Sequence, residues 1–251
     1  MLPAINTSVS TKMIDVFGGA LSSFWRGDTD TLMTVRRDDD FTDTHSPCIW
    51  FSEDAWATSE RPLMDHARGV MLDVGCGAGR HLLHFQNAGF DITGLDESPL
   101  AIDVCRKRGC EKLIAESIFE VSLADGSFDT ILLFGNDIGI GGSPARTVTM
   151  LKRLRSALRR GGRILVPSLD VSVTENPIHQ AYHEANRAAH KRIGQITIRL
   201  EYGDEIGEWF EWFHPSPDEL EQLADEAGLR VSEMMNFEAG LYGAVLESPT
   251  G

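Results

Sequence analysis

Two short apolar runs, each closing on an acid, with a glycine-rich turn after the first, constrain this chain more than any other feature. The first is Val70-Met71-Leu72-Asp73-Val74, followed by Gly75-Cys76-Gly77-Ala78-Gly79-Arg80; the second is Ile92-Thr93-Gly94-Leu95-Asp96. His81 to Ala88 lies between them and reads as a helix. The pattern is a strand, a nucleotide-sized loop, a helix, and a second strand whose terminal carboxylate can hold a ribose. Glycine tolerates the positive φ of so sharp a turn. Without side chains the loop lets a bulky ligand approach the backbone, with helix N–H groups aimed at it.

The spacing excludes two common ligands. A dinucleotide fingerprint, G-x-G-x-x-G, needs glycine where Arg80 stands. A phosphate-binding P-loop needs Gly-Lys-Ser/Thr, which is missing here. The stretch Leu72 to Gly79 instead resembles motif I of the class I S-adenosylmethionine-dependent methyltransferases. Asp96 matches that family's ribose-binding acid. The resemblance continues through Asp125-Gly126-Ser127-Phe128-Asp129-Thr130-Ile131-Leu132-Leu133, similar to the family's fourth strand. It extends to Leu154-Arg155-Ser156-Ala157-Leu158-Arg159-Arg160-Gly161-Gly162-Arg163-Ile164-Leu165-Val166, similar to its turn into strand five. It covers roughly Pro62 to Pro167. It implies a Rossmann-like, doubly wound α/β fold, with a mostly parallel seven-stranded sheet and an antiparallel strand at its edge. It also implies S-adenosylmethionine as cofactor, S-adenosylhomocysteine as product, and methyl transfer to an acceptor whose reacting atom (O, N or C) the motifs do not identify.

Composition narrows the acceptor. The 251 residues suffice for one α/β domain with additions, and 42% are hydrophobic. With 23 basic and 38 acidic residues the net charge is −15. Polyanion binding is driven by phosphate neutralisation, so the expected partner is a small molecule, not nucleic acid or a membrane. A monomer and a homodimer both remain open. Cys48, Cys76, Cys105 and Cys110 show no C-x-x-C spacing, so no zinc knuckle or redox pair is expected. No signal-peptide pattern opens the chain, and no apolar stretch approaches the 20 or so residues of a membrane span. A cytoplasmic enzyme is expected. Two other classes stay open: a non-methylating enzyme using the same cofactor, and a non-catalytic cofactor-binding regulator.

The core reads as alternating strands (70–74, 91–95, 112–116, 130–135, 162–167) and helices (80–88, 98–108, 145–159), as in a parallel sheet. A helix over 218–227 and strands Val231 to Asn236 and Leu241 to Glu247 complete it. Residues 1–66 are read as an N-terminal cap segment and 67–251 as the cofactor-binding domain. Within the cap, residues 1–10 are expected to be loose, Lys12 to Trp25 helical, Gly27 to Thr44 a loop, and Arg61 to Ala67 a helix. Residues 170–215 form an insertion. Its first half, Pro177 to Ile193, reads as a helix; its second, Gln195 to Tyr202 and Ile206 to Phe213, as a hairpin. The insertion and the N-terminal helix are expected to cap the carboxyl ends of the strands, where ligands bind in open α/β sheets.

The resemblance places Asp73, Gly75, Cys76, Gly77 and Gly79 around the methionine part of the cofactor, and Asp96 and Glu97 at its ribose. Ser117 stands where the family carries an adenine-binding acid, a departure that leaves Glu116 as the neighbouring candidate. Ile118 and Phe119 read equally as adenine wall or as core. Phe134, Gly135 and Asn136 are expected to face the cofactor. The segment Phe134 to Pro144 resembles the "GN-x-GIGG-x-P" stretch of a small-molecule methyltransferase subgroup. Ile140, Trp25, Trp56 and Trp212 are candidate substrate contacts, although the tryptophans read first as packing of the cap onto the sheet. His214, at the end of the hairpin, is the candidate general base. His179, His183 and His190 share a helix face, but Arg187 stands where H-E-x-x-H needs its second histidine, so no metal is expected. His81 and His84 are read as structural or exposed.

Overall fold

A computed structural model describes residues 15–248. The expectations for residues 1–10 and for the helix between Lys12 and Ile14 lie outside the described residues. The chain opens with helix α1 (Val16–Trp25), a hairpin of β1 (Met33–Arg37) and β2 (Thr42–His45), two single-turn helices, and α2 (Glu60–Met64). The core follows as β3 (Val70–Val74), α3 (Arg80–Asn87), β4 (Asp91–Asp96), α4 (Pro99–Lys107), β5 (Leu113–Ala115), β6 (Phe128–Leu132), α5 (Pro144–Ala157) and β7 (Leu158–Leu169). Next come α6 (Pro177–Ala188), β8 (Gln195–Tyr202), β9 (Glu205–Ile206) and β10 (Phe210–Phe213). The chain closes with α7 (Pro217–Glu226), β11 (Arg230–Asn236) and β12 (Leu241–Glu247).

Seven strands form the main sheet in the order β11-β12-β7-β6-β3-β4-β5. The pairings from β7 through β5 are parallel, and β12 runs antiparallel to both its neighbours. This is a Rossmann-like α/β sheet. Strand side chains alternate between its faces. Leu72 and Val74 join a core with Leu151, Leu154 and Leu220 from α5 and α7. Met71 joins the opposite core, with Leu82, Phe85 and Ile102 from α3 and α4. The helices start where side chains satisfy their free N–H groups. Ser98 accepts from Ala101 N ahead of Pro99, and Ser216 and Glu219 form a reciprocal capping box on α7. The strand order reverses between β3 and β6, which opens a crevice at their carboxyl ends.

The second sheet departs from the sequence reading. Residues 33–37 and 42–45, expected as loop, pair with each other, and β1 pairs along its length with β8 of the insertion. The sheet runs β10-β8-β1-β2, with β9 alongside β8. The expected long second strand of the insertion hairpin is broken into β9 and β10, and the insertion helix stops at Ala188. The polar hairpin is held by nonlocal partners. Buried Arg37 forks onto Asp39 at 2.7 Å and stacks its guanidinium on Tyr182 of α6, 4.1 Å from the ring centre. The Tyr182 hydroxyl donates to Asp38 at 2.8 Å, and His179 Nδ1 lies 3.2 Å from Arg37. These contacts occupy the face of α6 that carries His179, and His183 on the same helix is buried; His190, expected on that face, lies beyond the helix end at φ 57° and is exposed.

Helix α1 is the wedge between the two sheets. Val16 and Ala20 pack on Met33 and Tyr202 of the small sheet, while Leu21 packs on Ala78 of the glycine loop and Ala101 and Val104 of α4. Phe17 meets Trp50 edge-on at 5.3 Å. The approach to α4 is close: a Cβ on Gly18 would lie 2.2 Å from Ser98 Oγ and 2.6 Å from Leu100 Cβ.

A buried carboxylate ties the N-terminal segment to the main sheet. Glu60, 1% exposed, accepts from Gly135 N through Oε1 and from Ala57 N through Oε2, both at 2.8 Å. Arg80 lies 3.3 Å from Oε1 and His81 3.5 Å from Oε2. Arg80 also donates to the carbonyls of Ile49 and Ala55. The residue that breaks the dinucleotide pattern thus anchors the N-terminal segment. Burial alone would raise the Glu60 carboxyl, but His81, Arg80 and the Gly135 N–H override it and hold it below the usual glutamate range.

Two outcomes are expected. Gly18→Ala inverts the usual sign: a helix interior ordinarily gains about 0.5–1 kcal/mol from this change, whereas crowding against Ser98 and Leu100 costs about 1–2 kcal/mol. Urea unfolding measures it, and a stabilised variant refutes the wedge. Glu60→Gln leaves Arg80 and His81 without their carboxylate and costs about 3 kcal/mol at pH 7. Because the folded carboxyl lies below its ordinary 4.5, this contribution is present above that value and fades as pH falls through the folded one. The difference between wild type and variant should therefore close in acid; a gap independent of pH would sink the assignment.

Candidate functional site

The crevice at the switch point is floored by the loop from Gly75 to Gly79. Gly75, Gly77 and Gly79 have φ of 75°, 53° and 80°, the left-handed region that side chains disfavour. Gly79 is the N-cap of α3. Beneath the loop, Cys105 Sγ donates to Gly77 O at 3.1 Å, and Cys110 packs beside it. The buried cysteines thus support the loop from the core side. Phe17 and Trp50 lie over Gly77 on the other side.

Asp96 ends β4 beneath this loop. Its Oδ2 accepts from Gly77 N at 2.9 Å and its Oδ1 from Ser98 N at 2.8 Å, which leaves further lone pairs for two hydroxyls. Burial pushes its carboxyl up to about 6, against those two N–H bonds. Asp73 is 2% exposed, and its Oδ2 has no hydrogen-bond partner. Burial pushes it up to about 7, with Arg80 pulling down and Asp96 and Glu60 pushing up. A buried carboxylate oxygen without a donor is costly. It fits a ligand that brings N–H groups and positive charge, as the methionine end of S-adenosylmethionine does.

The loop after β6 closes the other side. Phe134 is buried edge-on to His81, with ring centres 5.0 Å apart. Gly135 is fixed by Glu60. Asn136 sits at φ 71°. Its amide Nδ2 lies 2.8 Å from His214 Nδ1, and its Oδ1 accepts from Ser168 Oγ at 2.9 Å. Asn136 and His214, far apart in the chain, therefore meet. Burial pushes His214 down to about 4, so it is neutral near pH 7. With Nδ1 accepting from the amide, the ring carries its proton on Nε2. His214, the candidate general base, therefore engages Asn136 through Nδ1.

The other candidates divide. Trp212 lies against Gly139, where a Cβ would sit 2.0 Å from its Nε1; Ile140, on the same turn, is half-buried against the main core. Glu97 is exposed beside Asp96. Ser117 is half-buried after β5, and its Oγ accepts from Phe119 N. Ile118 is 4% exposed and belongs to the main core, while Phe119 carries the Arg146 guanidinium 4.3 Å over its ring. Trp25 and Trp56, expected at the substrate, have packing partners of their own. Trp25 stacks on Phe51; Trp56 is buried against His81, with Arg61 over its ring. His84 faces Glu53 at 3.2 Å. Sequence reasoning passed over Glu60, Arg80 as an anchor, and Asp137, whose carboxylate hangs over Gly75. A glutamate and an aspartate carry no local mark of burial. The one available signal was Asp137's place in the glycine-rich segment after β6.

Known proteins share this architecture. A family model described as a methyltransferase domain matches residues 71–162. The solved structure of an S-adenosylmethionine-dependent methyltransferase from Bacteroides fragilis, in complex with S-adenosyl-L-homocysteine, has a TM-score of 0.81 at 26% identity. The alignment covers 94% of this chain and 95% of that one. A tRNA U34 carboxymethyltransferase from Shewanella oneidensis is 27% identical over 144 residues, 53% of this chain and 42% of that protein. A malonyl-[acyl-carrier protein] O-methyltransferase from Pseudescherichia vulneris is 28% identical over 147 residues, 55% of each chain. The chain thus spans about half the length of these curated relatives. Motif, fold and full-length structural likeness converge on the class I S-adenosylmethionine-dependent methyltransferases, and the methyltransferase domain itself is matched over residues 71–162.

Proposed function

We propose that this protein transfers a methyl group from S-adenosylmethionine to a small-molecule acceptor. The observation that carries the reading is the seating of the small sheet on the crevice. Trp212 of β10 packs against Gly139, and His214 just beyond reaches Asn136 at 2.8 Å. Cap and cofactor loop thus meet over the carboxyl ends of the strands, an arrangement that favours a small acceptor. The net charge of −15 and the buried acids around Gly75 favour a neutral or cationic acceptor over a polyanion. Among the described residues no helix is long and apolar enough to cross a membrane.

The sulfonium of the cofactor supplies an already activated methyl group. The work left to the protein is alignment and exclusion of water. Asp96 and the glycine loop hold the ribose and methionine ends. Asn136, fixed by Ser168, orients the His214 ring, whose Nε2–H positions an acceptor oxygen or nitrogen by a hydrogen bond. Trp212 and the turn carrying Ile140 close the wall.

Incubation with S-adenosylmethionine and pooled small acceptors, read by mass spectrometry of product and S-adenosylhomocysteine, tests this reading. It also distinguishes a methyl from the carboxymethyl group named for the Shewanella relative. Asp96→Ala is expected to weaken S-adenosylhomocysteine binding about a hundred-fold by titration calorimetry, the worth of two hydrogen bonds to a charged group; unchanged affinity would refute the ribose assignment. His214→Phe is expected to lower kcat/KM for the acceptor about ten-fold or more while cofactor affinity stays within about two-fold, the loss of one positioning hydrogen bond.

A further inference from the structure

The small sheet turns one face to the crevice, and its register shows which side chains that face carries. Residues opposite each other on paired strands share a face, and alternate residues along a strand return to it. Trp212 pairs with Ile196 and Phe210 with Ile198, while Leu200, two residues further along β8, pairs with Val35. The face is tied to the main domain at both ends. Trp212 packs against Gly139 of the turn after β6, with the Phe210 ring centre 6.4 Å from its own. Leu200 packs on the same cluster of Val16, Ala20, Met33 and Tyr202 as Phe17 and Trp50, the two rings that lie over Gly77. The strip from Trp212 to Leu200 therefore spans the crevice from the turn after β6 to the cofactor loop. Between these anchors Val35 and Leu200 are half-buried and Phe210 is 38% exposed, so the strip is not consumed by packing. The reverse face carries the ion pairs of Arg36 and Arg199 with Glu201, both at 2.7 Å.

The polar groups on this face are already engaged among the described residues. Arg37 gives Nε and Nη2 to Asp39, holds Nη1 beside His179, and lies between the rings of Phe41 and Tyr182. The Tyr202 hydroxyl donates to Asp28 at 2.9 Å. On β2, at the sheet's outer edge, His45 and Asp43 face each other at 3.3 Å. The polar contact left for an acceptor stands at one end of the strip, where His214 follows β10 and meets Asn136. We propose that the acceptor is an uncharged, largely apolar molecule, its body held under Val35, Leu200 and Phe210 and its reacting oxygen or nitrogen at His214. The proposal rests on the methyl-transfer reading and narrows its neutral or cationic acceptor to a neutral one.

Solvation decides between the two. A charged body would lose its water under aliphatic side chains that return no hydrogen bond, whereas every apolar group placed there leaves water at a gain. Aromatic faces alone would attract a cation, but Val35, Ile198 and Leu200 in the same strip offer it nothing. The transfer balances with such an acceptor. A lone pair of its oxygen or nitrogen bonds the methyl carbon as the carbon–sulfur bond breaks, and that bond's electron pair stays on the sulfur of S-adenosylhomocysteine. The proton of the acceptor's O–H or N–H passes to water, and the product is again neutral.

The experiment compares three ligands that share a hydroxyphenyl group and differ in the charge of the tail: 4-propylphenol, tyramine and 3-(4-hydroxyphenyl)propionate. Each is titrated calorimetrically into the full chain saturated with S-adenosylhomocysteine. 4-Propylphenol is expected to bind about ten-fold tighter or more than either charged ligand, because a charge must be stripped of water where a methyl group gains. Val35→Thr, which keeps the shape and adds a hydroxyl, and Phe210→Ser are each expected to weaken 4-propylphenol about three- to ten-fold. S-adenosylhomocysteine affinity should stay within about two-fold of wild type in both. Equal or tighter binding of tyramine or of the propionate overturns the proposal. So does an unchanged 4-propylphenol affinity in both variants, which places the ligand elsewhere. If wild type binds S-adenosylhomocysteine but none of the three, the proposal falls while the cofactor reading stands; if it does not bind S-adenosylhomocysteine, that reading itself has failed. Sedimentation of the same samples tests a second copy as occupant: a dimer lost in Phe210→Ser with 4-propylphenol affinity unchanged gives the face to that copy and overturns the proposal. Thermal unfolding reports whether each variant is folded, and the ranking of the three ligands on wild type decides the proposal without any variant.

Discussion

The structure depends on one buried carboxylate at the meeting of three segments. Glu60 belongs to the N-terminal part of the chain, Arg80 and His81 open the helix after the glycine loop, and Gly135 begins the turn after β6. None of these segments is adjacent to another in sequence. A buried charge is tolerable only when paired and hydrogen-bonded. Glu60 meets that condition only if all three segments occupy their places together. The consequence reaches the ligand crevice, because Gly135 precedes Asn136 and Asp137, and Arg80 follows the loop that Asp73 introduces. The geometry of the crevice is thus locked by a group held on the N-terminal segment.

The front of the crevice shows the opposite economy. Asp73, Asp96 and Asp137 stand close together, with their carboxyls all raised by burial. In the ligand-free chain this clustering lowers stability as pH rises through those values, since the folded state favours the protonated forms. A fold selected for stability alone has no use for such a group of acids. A fold that must hold a cationic ligand does, because the same like-charge tension relaxes when the ligand arrives. Glu60 and Asp137 illustrate the two cases: one acid made permanent by its partners, the other left open.

The central strands of the main sheet were legible in the sequence because they are apolar runs buried on both faces, and Ser98 and Ser216 mark the starts of α4 and α7. Asp96 and the glycines were legible because loop chemistry is local. The hairpin of β1 and β2 was not. Thr34, Arg36, Arg37, Thr42 and Asp43 give a polar stretch that reads as loop. It becomes sheet only because β8, brought in by the insertion, offers a pairing edge, and because Tyr182 of α6 stacks on Arg37. Propensity carries no information about such partners. His214 was found by its position after an aromatic run, but its hydrogen-bond polarity is set by Ser168, across the sheet, through Asn136. For Trp25 and Trp56 the residue type alone names no role: the same side chain serves a ligand or a helix interface, and only the neighbours decide.

Under the proposed function, cofactor and acceptor are encoded largely in different parts of the chain. The region matching the methyltransferase-domain family, residues 71–162, holds the glycine loop, Asp96 and the turn from Asn136 to Gly142. The small sheet lies outside it, built from β1 and β2 before the match and β8 to β10 after it. A fold does not fix a chemistry, and a shared cofactor site does not fix an acceptor. Under the proposed function, acceptor choice belongs to elements free to diverge while the cofactor loop stays constant. Relatives that share about half the chain at 27–28% identity can then differ in acceptor and still keep this crevice. Helix α1 limits that freedom. Its two faces pack on the small sheet and on Ala78 of the glycine loop, so any change that repositions the acceptor wall is transmitted through α1 to the loop that holds the cofactor.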